Sequence, residues 1–301
     1  MKLTMSLPIH IPVLLDEVLE GLRPQPGGCF LDCTVGLGGH ASAILERISP
    51  SGRLLGIDAD SEALRIAESE LDSYHESVVL INDNFINLEA ICSEHHFCPV
   101  DGILFDLGVS SLQLDTAQRG FSFQRDAPLD MRFSCEQELT ASDIVNSFPE
   151  RKLAFIINEY GEEHYSRRIS RLIVRNRPIS TTLQLARIVE QALGSKHTKI
   201  HPATRTFMAL RIAVNSELKN LEAALKQTIG LLCPGGRLVV ISYHSLEDRI
   251  VKQFMRCEAS SYEHRPILKL ISRKVIKPTS LEVESNPRSR SAKLRVAERF
   301  N

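Results

Sequence analysis

Over the first hundred residues, short and largely apolar runs alternate with amphipathic stretches. Phe30–Thr34, Leu54–Ile57, Val78–Ile81 and Gly102–Phe105 have the length and composition of buried parallel strands. Between them, His40–Ile48 follows a glycine-rich turn, and Ser61–Leu71 places Ala63, Ile66, Ala67 and Leu71 along one stripe, the spacing of a half-buried helix. A β-α-β-α-β series of this kind predicts right-handed crossovers and a parallel sheet with helices on both faces.

The rhythm changes after Asp106. Residues 113–200 carry helix signals and little strand pattern. Ser147-Phe-Pro-Glu150 fits a capping box with proline just inside the helix. Glu162–Arg177 sets Ile169, Leu172 and Ile173 on one side and Arg168, Arg171 and Arg175 on another. Thr182 is placed to cap Leu183–Leu193, which stops at Gly194. From Phe207 the apolar positions 207, 210, 214, 218, 221, 225, 229 and 232 predict one long helix. Pro234-Gly235-Gly236 breaks it, Arg237–Tyr243 is a further buried strand, and Lys293–Ala297 is expected at the sheet edge. The pattern predicts a discontinuous catalytic domain, 1–112 with 201–301, interrupted by a helical domain at 113–200 suited to substrate recognition.

Composition adds bounds rather than detail. The 301 residues are 43% hydrophobic and 24% charged with a net charge of −1, which excludes a disordered, fibrous or globally polycationic chain. No run approaches a membrane span, and Met1–Met5 leads into no signal-type apolar stretch. Seven cysteines then read as reduced thiols of a cytoplasmic protein. Charge is unevenly placed: ten acids against Arg65 alone from Asp58 to Glu94, ten bases against four acids from Glu263 to Asn301, and seven bases against three acids from Arg151 to Arg177. A solvated face accounts for any one such run, and two basic segments in a neutral chain also fit a polyanionic partner.

The chemistry concentrates at the strand ends. Leu31-Asp-Cys-Thr-Val-Gly-Leu-Gly-Gly-His40 runs from strand through a glycine turn into a helix, where bare backbone and unpaired helix N–H groups can meet a ligand. Asp58, twenty residues after Gly38, ends the second strand and suits a ribose diol. Gly36-x-Gly38-x-x-Ala41 also satisfies the dinucleotide fingerprint, so NAD and a purely structural turn stand as rivals. Three features favour S-adenosylmethionine: Asp32 beside the turn would face a cationic group and repel a pyrophosphate, Asn82-Asp83-Asn84-Phe85 offers an adenine site, and Pro-Gly-Gly-Arg-Leu precedes the fifth strand. Asp106-Leu-Gly-Val-Ser-Ser111 ends the fourth strand, where an open sheet places its active crevice. Neither 106–111 nor 242–249 contains a cysteine, so thiolate-dependent methylation of pyrimidine carbon 5 is disfavoured and an amine or hydroxyl acceptor fits better. His244 reads equally as a base, a phosphate contact or a structural histidine. Cys92, His95, His96 and Cys98 have no second ligand cluster to complete a zinc site, and Cys29 and Cys33 read as small buried residues.

In these residues the chain resembles the bacterial MraW/RsmH family, the 16S rRNA cytosine-N4 methyltransferases. The resemblance runs through His10-Ile-Pro-Val-Leu-Leu, Gly-Leu-Gly-Gly-His40, Asp106-Leu-Gly-Val-Ser-Ser-Leu-Gln-Leu-Asp115, Arg119-Gly-Phe-Ser-Phe and Pro128-Leu-Asp-Met-Arg132. It continues through Tyr160-Gly-Glu-Glu, His201-Pro-Ala-Thr-Arg-Thr-Phe207, Val214-Asn-Ser-Glu-Leu218, His244-Ser-Leu-Glu-Asp-Arg-Ile-Val-Lys252 and Asn286-Pro-Arg-Ser-Arg290. It implies a Rossmann-like class I S-adenosylmethionine-dependent methyltransferase fold with an inserted helical domain. It further implies cofactor contacts at Gly38, Gly39, His40, Asp58, Phe85, Asp106 and Gln113, and an acceptor amine on one cytidine near the decoding centre of the small ribosomal subunit.

One departure matters. The Asp/Asn-Pro-Pro-Tyr/Phe motif of many amino-methyltransferases is replaced here by Asp106-Leu-Gly-Val. Asp106 with nearby main chain, and secondarily Asn215 or His244, are then the expected acceptors for the amine, with Phe121, Phe123 or Tyr243 for stacking. A distorted or single-stranded loop would lower the cost of reaching the base. Arg168, Arg171, Arg175, Arg205, Arg288, Arg290 and Lys293 are expected to contact rRNA phosphates. A non-catalytic assembly factor is the other reading, and the sequence leaves monomer and homodimer open.

Overall fold

The computed structural model describes residues 11–194, 201–260 and 265–300. Met1–Met5, His10, Glu263 and Asn301 lie outside them. In chain order the first elements are α1 (Leu15–Leu22), β1 (Cys29–Asp32), α2 (Gly39–Ile48), β2 (Arg53–Asp58), α3 (Ser61–Glu70), β3 (Val78–Asn82), α4 (Leu88–Glu94) and β4 (Val100–Asp106). Six helices follow: α5 (Ser111–Asp115), α6 (Ala141–Ser147), α7 (Glu150–Gly161), α8 (Ser166–Arg175), α9 (Thr182–Leu193) and α10 (Thr204–Asn215). The chain ends with α11 (Glu217–Leu231), β5 (Leu232–Ser242), α12 (Ser245–Ala259), β6 (Leu268–Leu270), α13 (Ser280–Ser285) and β7 (Lys293–Arg299). Two compact units result, one from the residues up to Gly108 with Leu218 onward, the other Val109–Glu217.

The first unit is built on a seven-stranded sheet of order β3-β2-β1-β4-β5-β7-β6. β1 to β5 run parallel, while β7 is antiparallel to both β5 and β6. Side chains alternate between faces along each strand. Phe30, Leu54, Leu104, Val239 and Ile241 therefore pack with α1, α2 and α3. Their neighbours Leu31, Leu55, Ile103, Phe105, Leu238 and Val240 pack with α4, α11 and α12. Each fully buried aliphatic side chain contributes about 1.5–3 kcal/mol, so both faces of the sheet must stay covered.

Lys293–Ala297 does not form the edge. β7 is flanked by β5 and by the three-residue β6, which itself takes the edge position. The strand expected from Arg237 already pairs at Leu232, and the register shift between Val100 and Gly102 turns Pro234-Gly235-Gly236 into a bulge within β5.

The second unit is helical, with a core that includes Leu153, Ile157, Ile169, Ile173, Val189, Phe207 and Leu210. The long helix expected from Phe207 is broken at Ser216, whose φ of 51° is left-handed. Phe207, Leu210 and Val214 belong to this core, whereas Leu221 and Leu225 belong to the sheet's. The chain thus crosses between the units at 217, not at 200, because α10 spends its apolar face on the helices. Ser147-Phe-Pro-Glu150 forms no capping box: Pro149 is itself the cap residue of α7, and the Ser147 hydroxyl donates to the Asp143 carbonyl. α8 begins at Ser166, after a left-handed Glu162. Thr181, not Thr182, caps α9 by accepting the Gln184 N–H. Thr182 is buried and ties a loop instead, donating to the Arg125 carbonyl and accepting the Ala127 N–H.

Gly120 sits at φ +70°, where an added Cβ would lie 2.3 Å from the Pro128 carbonyl oxygen. Gly194 has nearly the same φ, +69°, with nothing within 4 Å. Its ψ is −172° against 10° for Gly120, a region essentially restricted to glycine, so Gly194→Ala is expected to cost about 1–3 kcal/mol from backbone strain alone. Gly120→Ala adds a clash with fixed backbone to about 1–2 kcal/mol of left-handed strain and is expected to cost about 3 kcal/mol or more, measured by denaturant unfolding.

Candidate active site

Five parallel strands end together on polar residues: Asp32, Asp58, Asn82, Asp106 and Ser242. Register fixes their level, since Asp32 pairs with Leu104 on β4 and Asp58 pairs with Asn82 on β3. Strand order reverses between β1 and β4, and such a switch point opens a crevice at the carboxyl ends of the strands.

The glycine turn is held from both sides. Val35 N–H donates to the Ile57 carbonyl (3.0 Å) and Gly36 N–H to Asp58 Oδ2 (2.8 Å). Asp58 Oδ1 accepts the Asp60 N–H at 2.9 Å. The Asp58 carboxylate is therefore oriented by one main-chain donor on each oxygen. Its carbonyl also accepts from Asn82 Nδ2 (2.9 Å) and Asp83 N–H (3.2 Å), which binds the start of the 82–85 segment to the end of β2. Phe85 begins a short turn capped by Asn84 Oδ1 and meets Phe105 edge-to-face at 5.6 Å. Gly38 caps α2 at φ +91°, a conformation that favours glycine, and Gly39 is the first residue of the helix.

Behind the turn lies a buried polar cluster. Asp32 is 1% exposed and His40 6%. Asp32 Oδ1 accepts the Thr34 N–H at 3.1 Å, while Oδ2 has no hydrogen-bond partner. Thr34 Oγ1 in turn accepts the Asp106 N–H at 2.6 Å. His40 Nε2 lies 3.5 Å from Asp106 Oδ2, but neither ring nitrogen makes a hydrogen bond. Asp106 Oδ1 accepts the Tyr243 hydroxyl at 2.8 Å. Burial above all, with the Asp106 charge next, pushes the Tyr243 phenol well above its usual range, so it stays a donor. Burial likewise lifts the Asp32 carboxyl to about 7, against a smaller opposing effect of His40.

Orphaned polar atoms in a dry site are costly unless a ligand satisfies them. Asp32, Asp58 and Asp106 surround the turn with acceptors, and an uncompensated carboxylate oxygen welcomes a cation and repels a pyrophosphate. S-adenosylmethionine, with an ammonium, a sulfonium and a ribose diol, fits this donor set. NAD does not.

The sequence matches a model of the MraW methylase family over residues 8–300. The chain belongs to that family. A relative named ribosomal RNA small subunit methyltransferase H, from Dehalococcoides mccartyi, is 56% identical, the match covering 97% of this chain and 86% of that protein. Another of that name from Syntrophotalea carbinolica is 51% identical, over 97% of this chain and 98% of its own length. An rRNA methylase of Streptococcus thermophilus, known by crystal structure, aligns over 98% of this chain and all of its own at 11% identity, with a TM-score of 0.45.

Several residues named from the sequence for catalysis, cofactor contact, stacking or metal binding also have partners within their own unit. His244 caps α12: its Nδ1 accepts the Glu247 N–H at 3.3 Å. Its Nε2 lies 3.1 Å from Glu247 Oε1, so both ring nitrogens are directed at Glu247. Glu247 completes the box by accepting from Tyr243 and His244 N–H groups. Asn215, in the helical unit, accepts from Phe133 N–H (2.8 Å) and donates to the Met131 (2.8 Å) and Arg211 (2.9 Å) carbonyls, so its amide is a loop clamp. Gln113 accepts the Ser110 N–H in the capping box of α5. Phe121 stacks on Phe133, and Phe123 on His201, within the helical unit. Cys92 is a core residue whose thiol burial pushes to about 12, and Cys33 is likewise buried.

Among the basic residues, Arg168, Arg171, Arg175, Arg288 and Arg290 are exposed. Arg171 lies 3.7 Å from Glu150, and Lys293 Nζ 4.0 Å from Asp248. Arg205 donates to the Glu162 carbonyl at 3.2 Å, with Glu163 at 3.8 Å. Two contributors went unseen in the sequence: Thr34, which reads as strand, and the Tyr243 hydroxyl, expected for stacking and found on Asp106.

The Asp32 carboxyl titrates near 4 when unfolded and near 7 when folded. The folded cofactor-free chain therefore binds more protons than the unfolded chain across that window, and its stability is expected to fall as pH rises through it. A cation beside Asp32 favours the ionised form, so cofactor binding midway through the window is expected to release a proton, read as calorimetric enthalpies that differ between buffers of different ionisation heat. Asp32→Asn is expected to abolish the proton release, flatten the stability profile and weaken cofactor binding at least about tenfold.

Proposed function

We propose that this chain transfers a methyl group from S-adenosylmethionine to the exocyclic N4 of one cytidine of 16S rRNA, in the small ribosomal subunit near the decoding centre. The observation that carries this reading is the buried Asp32–His40–Asp106 cluster at the strand ends, with its unsatisfied oxygen and ring nitrogens. Gly38, Gly39, His40, Asp58, Phe85, Asp106 and Gln113 would hold the cofactor: Asp58 for the ribose, Phe85 for the adenine face, Asp32 for the ammonium. When bound, S-adenosylmethionine supplies a methyl group on a positively charged sulfur, with a neutral thioether left behind.

The protein's share of the chemistry is then positioning and proton acceptance. A cytosine amine is a weak nucleophile because its lone pair is delocalised into the ring. Asp106 accepts from the amine N–H and localises that pair, with main-chain carbonyls of 106–108 assisting. Tyr243 donating to Oδ1 and Thr34 accepting the Asp106 N–H hold the carboxylate in place. His244 and Asn215 take structural parts in this scheme.

Arg168, Arg171, Arg175, Arg205, Arg288, Arg290 and Lys293 supply phosphate contacts, which position without reading sequence. The work takes place in the cytoplasm, where the small subunit is, and no helix among the described residues is long and apolar enough to cross a membrane.

With purified small subunits and methyl-labelled cofactor, the wild-type chain is expected to label the rRNA at one nucleotide, mapped by mass spectrometry to cytidine N4. Asp106→Ala is expected to lower the rate by about a hundredfold or more. Label on carbon 5, on a ribose, or none at all would refute the reading. Affinity for the subunit is expected to fall steeply with salt, and an affinity that ignores salt would remove the phosphate assignment.

A further inference from the structure

The functional reading assigns the arginines of α8 to phosphates and leaves the two exposed rings beside them, Phe155 and Tyr165, without a task. α7 and α8 are joined by residues 162–165, and Glu150, the first residue of α7, reaches Arg171 in the second half of α8. The two helices therefore run antiparallel. Equal rise along both places Phe155, five residues on from Glu150, level with about residue 166. Tyr165 caps α8 at that same level. Both rings face solvent: Phe155 is 58% exposed and Tyr165 43%. They are two of only six large apolar side chains exposed among the described residues.

Cations flank them on one side, with Glu159 exposed one turn after Phe155 on the other. Arg168, Arg171 and Arg175 continue from Tyr165 along one side of α8, spanning about 10 Å of its axis. Arg151 stands one turn before Phe155 on the exposed side of α7, and Arg167 is exposed beside Arg168. On a chain of net charge −1 this is a concentrated positive face. Two separate rings among guanidinium groups make a poor apolar interface with a protein, which calls for a contiguous patch. They suit a nucleic-acid strand, whose bases stack on exposed aromatic rings and on guanidinium planes while its phosphates meet the arginines. A base is available for stacking only where it is unpaired.

Resting on the rRNA substrate argued above, we propose that Tyr165 and Phe155 form a stacking platform on the α7–α8 hairpin that binds unpaired nucleotides of the RNA, with Arg168 and Arg175 on the adjoining phosphates. The platform gives the protein a means to prefer a distorted or single-stranded segment over a helix, without reading its sequence.

The test uses the full chain and a fluorescent cytidine-rich RNA strand, alone or annealed to its complement, with affinity read by anisotropy over a salt series. Phe155→Leu with Tyr165→Leu keeps good helix formers at exposed positions, and melting by circular dichroism checks that the fold is retained. This double variant is expected to bind the single strand about tenfold or more weakly, with an unchanged salt slope and unchanged duplex affinity. Arg168→Gln with Arg175→Gln is expected to flatten the slope by roughly 1.4, two phosphates' worth on a single strand. The aromatic variant is also expected to raise KM for small subunits while kcat holds. Unchanged single-strand affinity in the aromatic variant, or an equal loss on duplex, would overturn the platform. So would concentration-dependent self-association of the wild type, seen by sedimentation and absent from the variant, because the face would then be an interface between copies. A wild-type chain that methylates no cytidine N4 would instead overturn the functional reading, through a measurement the platform variants do not enter.

Discussion

The active end of this protein depends on carboxylates and a hydroxyl that accept main-chain N–H groups from the loops beside them. Asp58 takes the Gly36 and Asp60 N–H groups, Asp32 takes that of Thr34, and Thr34 takes that of Asp106. Two of these bonds, Gly36 to Asp58 and Asp106 to Thr34, tie one strand end to the turn after another strand, and the other two shape the turn that follows their own strand. A charged or partly charged acceptor on a backbone donor is among the stronger contacts a protein makes, and here it fixes loops that have little apolar surface of their own. With the main-chain bonds of Val35 to Ile57 and Gly38 to Val35, these contacts hold the glycine turn in one shape and define the lining at the strand ends.

That arrangement carries a cost in stability. Asp32 and His40 sit in nearly complete burial with polar atoms left over, and the Asp32 carboxyl is held near 7 as a result. A hydrophobic pair would pack there more favourably. Strain and unsatisfied groups of this kind gather where a ligand is to be met, and an MraW-family methylase has such a ligand in its cationic donor. The rest of the sheet, covered by apolar residues on both faces, offsets the penalty.

Much of the sheet was legible because periodicity and burial agree there: β1 to β4 lie within a residue or two of their apolar runs, and Asp58 ends β2 as its spacing required. The turn was legible because glycines at φ +53° and +91° have a local signature. Other features were hidden for a physical reason. A left-handed serine at 216 interrupts an unbroken apolar stripe, and nothing in that stripe says that its two halves serve different cores. His244 and Asn215 looked chemical because their side chains are versatile, yet His244 Nδ1 caps its own helix and the Asn215 amide holds main-chain groups more than eighty positions away. Thr181 and Thr182 are indistinguishable as cap residues until the loop at 125–127 is known. Thr34 was missed altogether, since its role is to receive a donor from another strand.

The order of the chain has a consequence for how the molecule is made. β4 acquires its second neighbour, β5, only after Leu232 has been synthesised, so the nascent sheet is open on one side while the whole helical unit emerges. Asn215 closes that unit by clamping residues 131–133, and it lies two residues before the unit ends at Glu217. Translation therefore delivers the helical body complete, at a moment when β4 is still waiting for β5.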